Sequence, residues 1–90
     1  MNTVDYEKLT IYEVESFHKT LLQWCDKSEG VLALDFELVQ KIDVAAIQLL
    51  LSAQKTCSKK SCELILKNLS SGVRETLHMA GCETLFKGSK

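Results

Sequence analysis

The side chains able to do chemistry in this chain are four cysteines, two histidines, the aspartates Asp35 and Asp43, and scattered serines. Cys25, Cys57, Cys62 and Cys82 show no CxxC spacing, and neither His18 nor His78 completes a ligand pair with them. Zinc sites draw on closely spaced pairs, so the set does not read as a metal centre. Each cysteine falls in or beside an apolar segment, where a free thiol behaves as a small buried hydrophobe. That structural reading ranks above a disulfide, metal or redox role. His18 beside Phe17 reads as a surface side chain, and His78 lies four residues after Arg74, both facing solvent. No nucleophile, base and orienting group can be assembled from them. The centre of the chain lacks a G-x-S-x-G elbow. It also lacks a glycine-rich phosphate cradle, because residues 37–41 contain no glycine. Asp35 is the one acid inside an apolar run and must reach the sheet edge or be hydrogen-bonded. A phosphate-receiver site would need several acids converging on magnesium. Neither enzyme activity nor a cofactor is expected.

The elements that position these residues are organised around Val31–Cys57. Val31-Leu32-Ala33-Leu34-Asp35-Phe36 is an apolar run of strand length after Gly30, as in a central strand covered on at least one face. A connector spans residues 37–42. Asp43 then precedes a helical pattern in which Ala46, Leu50, Ala53 and Cys57 form the inward stripe, flanked by Ile47 and Leu49. The Asp43 carboxylate suits the N-cap, accepting free N–H groups of the first turn. Ile42 and Ile47 occupy staple positions around it. The outer stripe is Val44, Gln48, Ser52 and Lys55. Val44 therefore projects outward beside the connector residues Leu38 and Val39, rimmed by Gln40, Lys41 and Gln48. A small apolar spot with a polar rim suits a protein interface, although local packing of Val44 against the connector is the plainer alternative. The expected partner-binding residues are Leu38, Val39, Gln40, Lys41, Asp43, Val44 and Gln48.

On either side the pattern repeats. Residues 1–9 read as a short, interrupted edge strand carried by Val4, Tyr6 and Leu9. Thr10-Ile11-Tyr12-Glu13 reads as a capping box that starts a helix at Thr10. Val14, Phe17, Leu21 and Trp24 form its stripe, widened by Leu22 and Cys25, and Trp24 reads as packing ahead of a binding platform. Gly30 supplies a left-handed residue after that helix. Cys62 to Leu66 is the next strand. Ser70 or Ser71 caps a last helix with Val73, Leu77 and Ala80 inward and Gly81 at its end. Residues 82–86 form an apolar coda, either a small strand or a turn. Helical crossovers between strands favour parallel pairing. With 90 residues, one two-layer α/β domain spanning residues 1–90 is expected.

Charge and composition narrow the partners. Lysine plus arginine number 11 against 12 aspartates and glutamates, a net charge of −1, which leaves no basic surplus for a nucleic-acid backbone. There is no proline, and no apolar run approaches the length of a membrane span. Residues 1–8 lack the basic and apolar regions of a secretion signal, so a cytoplasmic location without membrane insertion is expected.

Four of these stretches together resemble the STAS domain family: anti-sigma-factor antagonists, tails of sulphate transporters, and the STAS subunit of bacterial lipid-trafficking ABC systems. They are Leu9-Thr10-Ile11-Tyr12 leading to Leu21-Leu22, the strand Val31–Phe36, the segment Ile42-Asp43-Val44-Ala45-Ala46-Ile47-Gln48-Leu49-Leu50, and the closing Val73–Gly81. The third is similar to the family's IDSSGLGLL pattern, and its aspartate is the most specific element. The resemblance implies a small, mostly parallel mixed sheet with helices chiefly on one face, and a non-enzymatic interaction module of bacterial regulation or signalling. In the antagonist branch a serine directly after the aspartate is phosphorylated by a partner kinase, adding charge that drives the partner off. Val44 stands there in this chain, Ala46 replaces the usual glycine, and Ser52, Ser70 and Ser71 lie elsewhere. The resemblance thus implies a partner of anti-sigma, kinase or chemotaxis type, or alternatively an ABC ATPase, with no phosphorylation switch at residue 44. The family's fuller first strand is shortened here, with Glu7-Lys8 where a glycine is usual. An exposed edge of that kind can pair with a second copy, so a homodimer is an open reading.

Overall fold

The structure, a computed structural model, describes residues 2–82. Its elements are strand β1 (Asn2–Thr3), strand β2 (Lys8–Leu9), helix α1 (Val14–Lys27), strand β3 (Val31–Asp35), strand β4 (Lys41–Ile42), helix α2 (Val44–Lys59), strand β5 (Glu63–Lys67) and helix α3 (Ser71–Met79). The strands form two small sheets. One is three-stranded in the order β1-β3-β5, and the other pairs β2 with β4. Every pairing among the described residues is parallel. The α/β class with parallel strands and three helices is as expected. The expected single edge strand at the N-terminus is instead two two-residue strands in different sheets. The connector after β3 also contains a strand, β4, because Leu9 and Ile42 bring two apolar positions into register.

Alternation along β3 explains its two faces. Leu32 and Leu34 are buried, whereas Val31 is exposed. On β5, Leu64 and Leu66 face the same way in register with them. Helix α1 supplies Phe17, Leu21 and Cys25 to this core, and α2 supplies Ala46, Ile47, Leu50, Ala53 and Cys57. Val73 and Leu77 of α3 complete the cluster. Leu22, expected to widen the α1 stripe, is exposed. The stripe instead runs through Phe17, Leu21 and Cys25 at four-residue spacing, with Val14 and Trp24 packed along its margin. Tyr6, Phe17 and Trp24 form an edge-to-face chain with ring centroids 5.8 and 6.4 Å apart.

The expected helix start at Thr10 is displaced to Val14. Residues 10–13 form a turn, in which the N–H groups of Glu13 and Val14 donate to the Thr10 carbonyl. Half of the capping box survives. The Glu13 carboxylate accepts from both the Thr10 N–H (2.9 Å) and the Thr10 hydroxyl (2.6 Å). These two donors, the hydroxyl foremost, hold the Glu13 carboxyl below its usual range. The Thr10 hydroxyl is thereby committed to the carboxylate, and the first helical residues lie one turn later. Helix α3 is capped by Ser70, whose hydroxyl accepts from the Val73 N–H at 3.2 Å. It ends in a Schellman motif at Gly81 (φ 72°), with the Cys82 N–H on the Leu77 carbonyl and the Gly81 N–H on the His78 carbonyl. The coda lies outside the described residues beyond Cys82, which is itself buried.

Candidate functional site

The start of α2 is built by Asp43, and two segments distant in sequence meet on it. Its carboxylate accepts from the Ala46 N–H through one oxygen (3.1 Å) and from the Ile11 N–H through the other (2.9 Å). Its own N–H donates to the Leu9 carbonyl at 3.1 Å. Asp43 is therefore both the helix cap that the sequence predicts and a clamp on the 10–12 turn. The parallel β2–β4 pair puts that turn beside it. Leu9 is in register with Ile42, so the chain leaving each strand emerges at the same end. Upstream, the Glu7 carbonyl accepts from the N–H groups of both Gln40 (2.7 Å) and Lys41 (3.3 Å).

The result is a cluster of exposed apolar side chains at the start of α2. Val44 is 70% exposed, Ile11 65% and Tyr12 89%. Leu38, in the turn after β3, is half exposed. Gln40, Lys41 and Gln48 are exposed too, and Gln48 stands one turn beyond Val44 on the same helical face. Val39 is a correction. It is fully buried, because the turn closed by its N–H on the Phe36 carbonyl at 3.0 Å directs both Phe36 and Val39 into the core. The three-residue spacing of Phe36, Val39 and Ile42 is the sequence signal for this. Ile11 and Tyr12 are the residues that sequence reasoning missed. Placing them in the first turn of a helix hid the fact that a turn tied to Asp43 leaves both side chains outside.

The remaining chemistry-bearing groups lie elsewhere. Asp35, at the end of β3, accepts from the Asn68 side-chain amide (3.0 Å) and the Glu37 N–H (2.9 Å). Those bonds hold its carboxyl below the usual range, the amide contributing most. It ties together the loops after β3 and β5. His18 and His78 are both exposed. All four cysteines are buried free thiols. Among the described residues no group of three histidine, cysteine or acidic side chains is placed to hold a metal ion. A hollow of about 330 Å³ lies along Thr3–Tyr6, Phe17, Thr20 and Trp24 and shares no residue with the α2 start. The arrangement at Asp43 presents exposed apolar side chains beside exposed polar ones.

A family model described as "Mlab, STAS domain" matches residues 7–87. The chain belongs to the STAS domain family. No curated protein matches it. The matched segment of this STAS domain takes in β2, the Asp43 clamp and all three helices. STAS domains are in general protein-interaction modules, which accords with the exposed apolar cluster at the start of α2. No helix among the described residues is long and apolar enough to cross a membrane.

Proposed function

We propose that this STAS domain is a non-enzymatic, cytoplasmic adaptor of bacterial regulation or signalling. Its partner docks on the surface formed by Ile11, Tyr12, Leu38, Gln40, Lys41, Val44 and Gln48, with Asp43 beneath as its scaffold. The carrying observation is Val44, 70% exposed at the position directly after the capping aspartate. A valine so exposed gains nothing from the fold and gains apolar burial when covered. It also offers no hydroxyl, so binding at this surface is not switched by phosphorylation at residue 44. An anti-sigma factor, a kinase or a chemotaxis component is the class of partner this reading calls for.

The same valine favours one second reading. A surface that lacks a release switch suits permanent docking, as in the STAS subunit of a lipid-transport ABC complex seated on its ATPase. Affinity purification of tagged wild type and Val44→Asp from native cells separates these readings. A signalling protein lost on Val44→Asp supports the first, and an ATPase with its permease supports the second. A charge in a desolvated contact should weaken capture at least tenfold. An unchanged partner set with the variant normally folded removes both.

A further inference from the structure

The Sγ atoms of Cys25 and Cys57 lie 3.6 Å apart in the core, one on α1 and one on α2. Both side chains are buried, at 2% and 1% exposure. Beside them the exposed ion pair from Lys60 Nζ to Asp26 Oδ1, at 2.8 Å, joins the ends of the same two helices. It lies one residue beyond Cys25 and three beyond Cys57. We infer that Cys25 and Cys57 are a dithiol site that hydrogen peroxide converts into a single intramolecular disulfide, cross-linking α1 to α2. The sulfurs need to close from contact distance to about 2.05 Å.

Hydrogen peroxide is the two-electron oxidant, and with it the reaction balances. One cysteine sulfur attacks a peroxide oxygen, the O–O bond breaks, and hydroxide leaves, giving a sulfenic acid. The second sulfur attacks the sulfenic sulfur, the S–S bond forms, the S–O bond breaks, and the oxygen departs as water with the remaining thiol proton. Two thiols and one peroxide become one disulfide and two waters. Burial, reinforced by the neighbouring Cys25 and Cys62, pushes the Cys57 thiol up to about 12. The Cys57 thiol therefore stays protonated, and its oxidation is slow because the thiolate is scarce. Cys57 lies 14 residues along α2 from Asp43, about 20 Å of helix, so this site is independent of the docking surface.

The chain carries its own means of mapping. Trypsin cleaving after Lys19, Lys27, Lys55, Lys59, Lys60, Lys67 and Arg74 leaves Cys25, Cys57, Cys62 and Cys82 on four different peptides. Reduced full-length protein is treated with hydrogen peroxide, quenched with catalase, alkylated with N-ethylmaleimide in denaturant, digested and mapped by mass spectrometry. The expected product is a monomer lacking two hydrogens, with peptides 20–27 and 56–59 linked, Cys62 and Cys82 alkylated, and full reversal by dithiothreitol. Cys62→Ser should form the same link and Cys25→Ser should lose it. Four alkylated thiols, a Cys57–Cys62 bridge, a disulfide-linked dimer, or over-oxidised Cys25 and Cys57 without a link would each overturn the inference. The wild-type map decides even where a serine variant does not fold.

Discussion

Asp43 carries two obligations that a single residue scan can separate. One carboxylate oxygen caps α2 and the other holds the Ile11 N–H. Asp43→Ala removes both and should cost about 1–2 kcal/mol in urea unfolding. Asp43→Asn keeps a carbonyl oxygen for the cap but places an NH2 donor where the second oxygen met the Ile11 N–H, so it should lose about half as much. Amide exchange at Ile11 should then accelerate in both variants. Equal stability of the alanine and asparagine variants would mean that the cap bond contributes nothing, and an asparagine variant as stable as wild type would mean the same of the Ile11 contact. Acid sensitivity has an equally local origin. Asp35, Glu13 and Asp26 all have carboxyl groups lowered by hydrogen bonds, the last through Lys60. A carboxylate lowered on folding contributes stability above its ordinary value, and loses it as pH falls through the folded one. Urea midpoints should therefore drop on acidification below the ordinary carboxylate values of 3.8 for aspartate and 4.5 for glutamate. Asp35→Asn should flatten part of that drop, and an unaltered acid limb would refute the assignment. The cap could be foreseen, because an aspartate before a helical stripe has one obvious use. Its second partner, 32 residues away, could not, because nothing local in sequence couples Ile11 to Asp43.

Among the elements, α2 is the most ordinary in pattern and the least ordinary at its end. Its Schellman motif puts the Cys62 N–H on the Cys57 carbonyl and the Ser61 N–H on the Ser58 carbonyl. This forces Ser61 to φ 58°, a left-handed conformation that glycine adopts freely and serine does not. Ser61→Gly should stabilise the domain by about 0.5–1 kcal/mol, read as a higher urea midpoint at unchanged slope. A loss of stability would show that the serine side chain contributes something the backbone geometry does not account for. Long elements were legible because burial and periodicity agree over several turns. The stripe Ala46, Leu50, Ala53, Cys57 and the strand from Val31 appear as expected. Short elements were not, since two-residue strands such as β1, β2 and β4 have no period of their own. They exist only through their pairing partners. The displaced start of α1 belongs to the same class. The Thr10–Glu13 bonds compatible with a capping box are equally compatible with a turn, and only the contact with Asp43 distinguishes them.

The molecule as a whole rests on one core shared by all three helices and the β3–β5 sheet, with no buried polar or charged residue among those described. Leu50 sits fully buried within it. Leu50→Ala should cost about 2–5 kcal/mol, a large share of the roughly 5–15 kcal/mol typical of a domain. Equilibrium unfolding would show the midpoint fall steeply, and a loss below about 1 kcal/mol would mean that the core collapses around the cavity. From sequence alone came the α/β class, the central strand, the cap on α2, the buried thiols and the outward direction of Val44. Each follows from an interaction within a few residues of chain or from a repeated apolar period. Only the tertiary structure decided the split into two sheets, the burial of Val39, the joining of Ile11 and Tyr12 to the Val44 surface, and the contact of Cys25 with Cys57. Apart from Val39, which a local turn buries, these are pairings between segments about 30 residues apart, and their geometry depends on how whole elements pack, which no local preference encodes.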